Sequence, residues 1–383
     1  MKKYFTTLYI LLEIILLTLC GILIFNGCRI EDKSSSFDNF PDTGRELSFA
    51  TWNVQTFFDA VKSGTEYGEF LSSKNWDENK YKVRLDRLCE VISYINADII
   101  VIEEIENENV MQDISNMMAG NSWNRKKVYE YGCFMKNKGD AIGCGVFSKF
   151  PVTEIKNHNI DIKCGALKNC EKQPRMRPIS QVSIDVNGRT LSVFVNHWKS
   201  KSGGAEKTEI WRKWQEAVLY NSVKKVLGEK CSYGAGTCME NDSIGGDCVG
   251  GNCVGSDAIG GGCIAAGDFN RDIKEFTCID GNIILQDKFI NFETGEAGAK
   301  KIIGYTPWLN ENCDFATECG SYYYDDNWER IDNIFSFGNV KISNFEVITD
   351  GCWTDEMGKP IKYSCFNGKG YSDHLPLKCT VTF

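Results

Sequence analysis

Six stretches of this chain follow one pattern, an apolar run that meets polar and charged residues at one end. They are "ELSFATWNV" (46–54), "ADIIVIEEIEN" (97–107), "TLSVFVNHWKS" (190–200), "CIAAGDFN" (263–270), "ERIDNIFSF" (329–337) and the closing "YSDHLPLKCTVTF" (371–383). Short apolar runs of this kind read as buried strands. Their polar ends fall where strand meets loop, which is how a rigid scaffold presents a site assembled from several loops. Two helices stand between them. In "NKYKVRLDRLCEVISYI" (79–95) the residues Tyr81, Leu85, Leu88, Ile92 and Ile95 share one face. A second helix, near 206–227, carries Trp211, Trp214, Val218 and Val226 on one side. Strands outnumber helices, so the expectation is one α/β domain with a sheet-rich centre over residues 47–383.

The chain of 383 residues is long enough to bury a full core. Its net charge of −9 gives no general attraction to nucleic acid or an anionic membrane. A polyanion then needs a local basic groove or a site that carries a cation.

Residues 1–28 read as an export signal. Lys2 and Lys3 precede a run of apolar residues, "IILLTLCGILIF" (14–25), which is too short for a membrane span and suits a signal core. The following "FNGC" (25–28) resembles a bacterial lipoprotein box ending at Cys28, although Phe25 departs from the usual aliphatic residue. An ordinary cleaved signal and an uncleaved anchor are the other readings. The polar, Ser-rich segment 29–46 suits a tether. The expected location is therefore the bacterial cell surface as a lipoprotein, or a secreted or periplasmic form.

Eighteen cysteines, sixteen of them beyond Cys28, favour an oxidising compartment and disulfides. Close pairs such as Cys164 with Cys170 and Cys313 with Cys319 are candidate loop staples. Residues 231–263 hold ten glycines and five cysteines, with the near-duplicates "DSIGGDC" and "DAIGGGC". Five cysteines without a histidine match no common zinc spacing, so this segment reads as a disulfide-tied surface insertion.

The polar ends can now be taken together. "TWNV" with Asn53, "IEEIEN" with Glu104, "NHWKS" with His197, "GDFN" with Asp268 and Asn270, "RIDNIF" with Asp332 and "SDHLP" with Asp373 and His374 stand in this order. The chain thereby resembles the endonuclease/exonuclease/phosphatase superfamily. The forms "NHWKSKSGG" and "WERIDNIF" look most like those of its exported bacterial nucleases. The resemblance implies a DNase I-like fold, a two-sheet β-sandwich core flanked by helices. It covers 47–383 apart from the Cys/Gly-rich insertion and a second insertion near 309–326.

The chemistry agrees with that order of motifs. A phosphodiester repels an anionic nucleophile, so hydrolysis needs a cation on the phosphate oxygens, a placed water and donors for the developing charge. Carboxylate and amide ligands that leave room for water suit Mg²⁺ or Mn²⁺, with Ca²⁺ a possible helper.

The resemblance implies Glu104 as principal metal ligand, with Asn53 and Asp373 completing or orienting the shell. It implies Asp268 as the residue that positions or activates water, and Asn270 as a phosphate contact beside it. It gives His374, held by Asp332, and His197 opposite as donors or acid/base groups, and Arg177 of "MRPIS" as a phosphate-contacting arginine. The family has competing one-metal and two-metal mechanisms, so the base stays open. Glu103 departs from the Gln common at its position and, by strand alternation, should point away from Glu104.

Blander readings also exist. Asp332 would pair with Arg330, Trp198 would fill the core, Lys199 and Lys201 would be solvated, and His158 would be a loop residue. Ser372 reads as a loop-shaping residue and not as a nucleophile.

The expected activity is phosphodiester hydrolysis of a nucleic acid, DNA or RNA, leaving a 5′-phosphate. The expected enzyme is a monomer that meets membrane only through its N-terminus. One alternative is a sphingomyelinase-like phospholipid phosphodiesterase. It would favour an exposed aromatic hairpin, which the Cys/Gly-rich insertion lacks. The other is a catalytically dead binding protein, against which the intact carboxylates and histidines argue.

Overall fold

The computed structural model describes residues 45–72, 74–120, 129–160, 173–228, 261–286 and 301–383. The export signal, the tether up to residue 44, Cys164 and Cys170, and all but the last residues of the Cys/Gly-rich insertion lie outside them, whereas Glu46, read as the end of the tether, already begins the first strand.

The two large sheets face one another. The first runs β15-β16-β1-β2-β4-β3. It is made of β1 (Glu46–Phe57), β2 (Ile99–Ile105), β3 (Tyr131–Met135), β4 (Gly143–Ser148), β15 (Lys341–Val347) and β16 (Leu377–Thr382). The second runs β5-β6-β7-β8-β14-β11-β10-β9. It is made of β5 (Val152–His158), β6 (Ile179–Val186), β7 (Arg189–His197), β8 (Cys263–Asp268), β9 (Thr277–Ile279), β10 (Asn282–Gln286), β11 (Lys301–Tyr305) and β14 (Asp332–Phe337). A separate hairpin pairs β12 (Tyr322–Tyr324) with β13 (Asn327–Glu329). The helices are α1 (Gly68–Leu71), α2 (Glu78–Ile95), α3 (Glu108–Gly120) and α4 (Ala205–Val226). This mixed α/β sandwich is the DNase I-like fold.

Between the sheets lie fully buried residues such as Phe49, Ile99, Val101, Val193, Ile264, Ala266 and Ile334. The all-apolar strands are buried on both faces, one against the facing sheet and one beneath the helices. Gly267 shows how tightly the sheets approach. A Cβ there would lie 2.0 Å from the Asn196 carbonyl oxygen and 2.9 Å from Glu103 Oε1, and its φ of +126 admits only glycine in comfort.

Helix α2 starts at an Asp77 cap that accepts from the Lys80 amide, and it ends at Asn96 in the left-handed region. Its expected stripe, Tyr81 to Ile95, is buried throughout. In α4 the buried side is rotated from the expected one. Trp211, Gln215, Leu219, Ser222 and Val223 are buried, whereas Trp214, Val218 and Val226 are partly buried on its flank. The reason is Arg271. It lies beneath α4 and pairs with Glu209 and Glu216 at 2.6 Å each, so charged residues occupy part of the inner face.

The cysteines also depart from expectation. Cys313 is bonded to Cys278, not to Cys319. Cys89, Cys144, Cys263, Cys365 and Cys379 are buried and unbonded, behaving as small apolar residues of the core. His158 is not in a loop: it ends β5, faces Gln181 at 3.1 Å and packs on Phe194.

The Cys278–Cys313 bridge closes a span of 35 residues and anchors the 306–318 loop to β9. Closing a loop of that length is worth about 3–4 kcal/mol through the unfolded chain. Cys278→Ser should therefore lower the melting temperature by several degrees. Reductant should lower it equally in the parent and not at all in the variant. An unchanged melting temperature in both would mean that the bridge adds nothing to stability.

Candidate active site

Strand ends from both sheets converge at one edge of the sandwich. In the second sheet Asp268 is the register partner of His197 on one side and of Asp332 on the other, so three strands deliver three polar residues in a row. In the first sheet Asn53 is paired with Glu103, and Glu104 follows at a break in the register of β2 with both neighbours. Glu104 has φ 69, in the left-handed region. A bulge of this kind re-aims a side chain. It turns Glu104 out toward the site while Glu103 stays fully buried between the sheets, accepting from Thr51 Oγ1 at 2.7 Å. By register Glu103 shares the inward face of Asn53, near the Asp268 and Asp332 carboxylates, so it is the bulge and not simple alternation that separates it from Glu104.

Glu104 is gripped on two sides. The Thr56 amide donates to Oε2 at 2.5 Å, and Asn53 Nδ2 donates to Oε1 at 3.3 Å. Asn53 Nδ2 also reaches Asp268 Oδ2 at 3.1 Å, while its Oδ1 accepts from the Gln55 amide. Asn53 therefore orients two carboxylates with its nitrogen and has its oxygen occupied. Asp268 receives two further bonds from Asn270, the backbone amide at 2.7 Å and Nδ2 at 2.9 Å. Asn270 itself sits at φ 47. Backbone strain at Glu104, Asn270, Gln55 and Thr56 is concentrated at this edge, as is common where function constrains geometry.

His374 Nδ1 lies 2.8 Å from Asp332 Oδ2, both groups buried. Arg330 does not compete for that carboxylate; it donates to the Thr317 and Glu318 carbonyls. Burial alone would push the His374 imidazole down, but the Asp332 carboxylate and its hydrogen bond hold it well above the usual histidine value. Ser372 shapes this corner, donating to the Asn53 carbonyl at 2.7 Å and accepting from the His374 amide. His197 is the opposite case. Burial, with the nearby Arg177 charge, holds its imidazole well below the usual value and neutral. Its Nε2 faces Glu104 Oε1 at 3.6 Å and Asp268 Oδ2 at 3.8 Å. Burial and the nearby Asp332 charge push the Asp268 carboxyl up to about 7.

The donor set fits a hard divalent cation. Glu104, Asp268 and Asp332 crowd negative charge into one buried corner, and Asp332 Oδ1 has no protein partner. Two positions compete for a cation. Asp268, Asp332 and His374 offer ligand atoms within 4.8 Å of one another. An imidazole held protonated has no lone pair to give, however, and its charge already offsets Asp332. Glu104 is the carboxylate at the solvent side, with 17% of its side chain exposed. That leaves room for the waters Mg²⁺ retains.

Arg177 reaches the rim. Its guanidinium donates toward the Trp198 carbonyl at 3.5 Å and lies close to the Tyr67 hydroxyl. Asp373 stands beside His374 in sequence, but its carboxylate is taken by Lys362 at 3.0 Å. Trp198 is fully buried core, and Lys201 pairs with Glu275 and Glu329.

Sequence reasoning missed Arg84. It lies buried over the Phe57 and Tyr363 rings and donates to the Val54, Gln55 and Thr56 carbonyls. It thereby holds the left-handed turn that presents the Thr56 amide to Glu104. An arginine amid the apolar stripe of α2 was the available signal.

Residues 48–232 match the endonuclease/exonuclease/phosphatase family. Among solved structures the chain is similar to truncated TDP2 from Caenorhabditis elegans, at 12% identity and a TM-score of 0.51, covering 88% of this chain and 98% of that one. It is also similar to a mannosyl-6-phosphatase from Bacteroides thetaiotaomicron, at 13% identity and a TM-score of 0.47, covering 88% of this chain and 100% of that one. No curated protein matches the chain.

Proposed function

From the premise that the chain belongs to the endonuclease/exonuclease/phosphatase superfamily, whose members are phosphoesterases, we propose that it is an exported, metal-dependent nuclease. It would hydrolyse DNA or RNA by water attack and leave 5′-phosphate ends. The observation that carries the reading is the convergence of an outward Glu104, a crowded Asp268 and a charged His374–Asp332 pair at one sandwich edge.

A bound divalent cation would supply charge neutralisation at the phosphoryl oxygens. Glu104 would hold it, oriented by Asn53 and the Thr56 amide. Asp268, fixed by Asn53 and Asn270, accepts the proton of the attacking water or positions it. His374 donates a hydrogen bond to a phosphoryl oxygen as charge builds, and Asp332 keeps it protonated and aimed. His197, neutral, offers Nε2 from the opposite wall. Arg177 at the rim provides a fixed positive charge for the backbone.

Export and lipidation at Cys28 are part of this proposal and rest on the N-terminal residues. The Cys278–Cys313 bridge is in keeping with an oxidising location.

The test is hydrolysis by the purified full chain of plasmid, single-stranded DNA, RNA, sphingomyelin and a sugar 6-phosphate, side by side, with Mg²⁺ and with EDTA. Mg²⁺-dependent cutting of nucleic acid alone is the expected result. Turnover of sphingomyelin or the sugar phosphate with nucleic acid untouched would overturn it.

A further inference from the structure

Strand β12 belongs to no motif of the site and its partner β13 leads into "WERIDNIF", and the hairpin touches the site directly. Part of it fell within the stretch 309–326 read as an insertion. Tyr322 forms a backbone bridge to His374, and its ring centroid lies 4.7 Å from the His374 ring. Residues two apart on a strand share a face, and Tyr324 follows Tyr322 with ring planes only 12° apart and centroids 6.2 Å apart. Tyr324 is 63% exposed, a high value for so large a ring.

The reverse face is pinned. Tyr323 packs on Trp328 at 5.0 Å, and Lys359 Nζ sits 3.8 Å from the Tyr323 ring. The turn is two residues long, with Asp325 and Asp326 both in the left-handed region, as a tight hairpin of matched twist requires. Two nearly parallel rings are thus held rigidly, one against the catalytic histidine and the next leading outward to solvent.

We propose that Tyr322 and Tyr324 form a stacking platform for the nucleobase next to the scissile phosphoryl group; the inference rests on the nuclease reading above. Parallel aromatic rings that continue a phosphate site match a nucleotide, whose anion and flat base are joined by one sugar. Stacking takes any base, so the platform gives affinity for unpaired strands without sequence choice. A bilayer is the other occupant an aromatic hairpin beside a phosphoesterase site would suit. The Asp325–Asp326 tip argues against it, because two carboxylates at the leading end disfavour insertion and are repelled by anionic headgroups.

The experiment measures KM and kcat of the full chain on a short oligothymidylate, for the parent, Tyr324→Ala and Tyr324→Trp. A second oligonucleotide carries abasic residues around the cut linkage, and binding to sphingomyelin/phosphatidylcholine vesicles is measured in parallel. Tyr324→Ala should raise KM about tenfold to a hundredfold on the first substrate, with kcat changing far less. Tyr324→Trp should restore KM, and on the abasic substrate parent and Ala variant should coincide.

An unchanged KM, or an equal rise on the abasic substrate, overturns the platform while the nuclease reading stands. Loss of vesicle binding in Tyr324→Ala with DNA kinetics intact assigns the hairpin to a membrane and also overturns it. A parent enzyme that cuts no nucleic acid removes both readings together.

Discussion

Glu104→Gln should lower Mg²⁺-dependent turnover on the order of 10³-fold or more, with the fold intact. The substitution keeps the shape of the side chain. Its carbonyl oxygen still accepts from the Thr56 amide, and the bulge that aims residue 104 is set by backbone register. What disappears is one negative charge at the solvent side of the carboxylate cluster. Removing it weakens the hold on a hard cation, while relieving repulsion with the neighbouring Asp268. The stability change should stay within about 1 kcal/mol. Rates across a Mg²⁺ titration, Mg²⁺ binding by calorimetry and a melting curve check the three parts. A folded Glu104→Gln protein with normal Mg²⁺-dependent rates would remove Glu104 from the metal site and leave the Asp268, Asp332 and His374 corner as the candidate.

The parts of the fold legible in the sequence were the strands buried on both faces. In β2, β7, β8 and β14 nearly every residue is buried, so each reads as an apolar run. Strand β5, "VTEIKNH", is an exposed edge with no wholly buried residue, and nothing in its pattern separates it from a loop. Helix α3 buries only Val110, Met111 and Ile114, too few to draw a stripe. In α4 the charged partners of Arg271 occupy the inner face and mislead a reading based on apolar residues alone.

The site divides in the same way. Glu104, Asp268, Asp332 and His374 are side chains with chemistry of their own at the ends of buried strands, so the order of motifs brings them into view. The Thr56 amide carries no side-chain signal. It reaches Glu104 because Gln55 and Thr56 adopt φ 55 and 47, and no glycine marks that turn. Arg84 stabilises it through three carbonyls distant in sequence, a partnership visible only once α2 is packed. Tyr322 was hidden by the absence of a motif. Its importance comes from a single backbone bridge to His374.

His374→Ala and Asp332→Ala should each cost about 10³–10⁴-fold in rate, and the double variant should be little slower than the worse single one. The pair acts as one unit. At 2.8 Å from Nδ1, the Asp332 carboxylate both orients the imidazole and keeps it charged against the pull of burial. Without Asp332 a buried histidine becomes neutral near pH 7 and loses the donor that the phosphoryl charge needs. Without His374 the Asp332 carboxylate has nothing to orient.

The same coupling sets a stability signature. The folded pKa of His374 is raised above its ordinary value of 6.5. The stabilisation is therefore fully present below that value, provided Asp332 stays ionised, and is lost as pH rises through the raised pKa. The stability gap between the parent and Asp332→Asn should be widest near pH 6 and should narrow on the alkaline side. Denaturant melts at several pH values measure the gap, and single-turnover rates measure the cycle. Rate losses that multiply in the double variant, together with a gap independent of pH, would show two residues acting separately. Asp332 would then belong with the metal ligands, and His374 would find its counter-charge in Asp268 or Asp373.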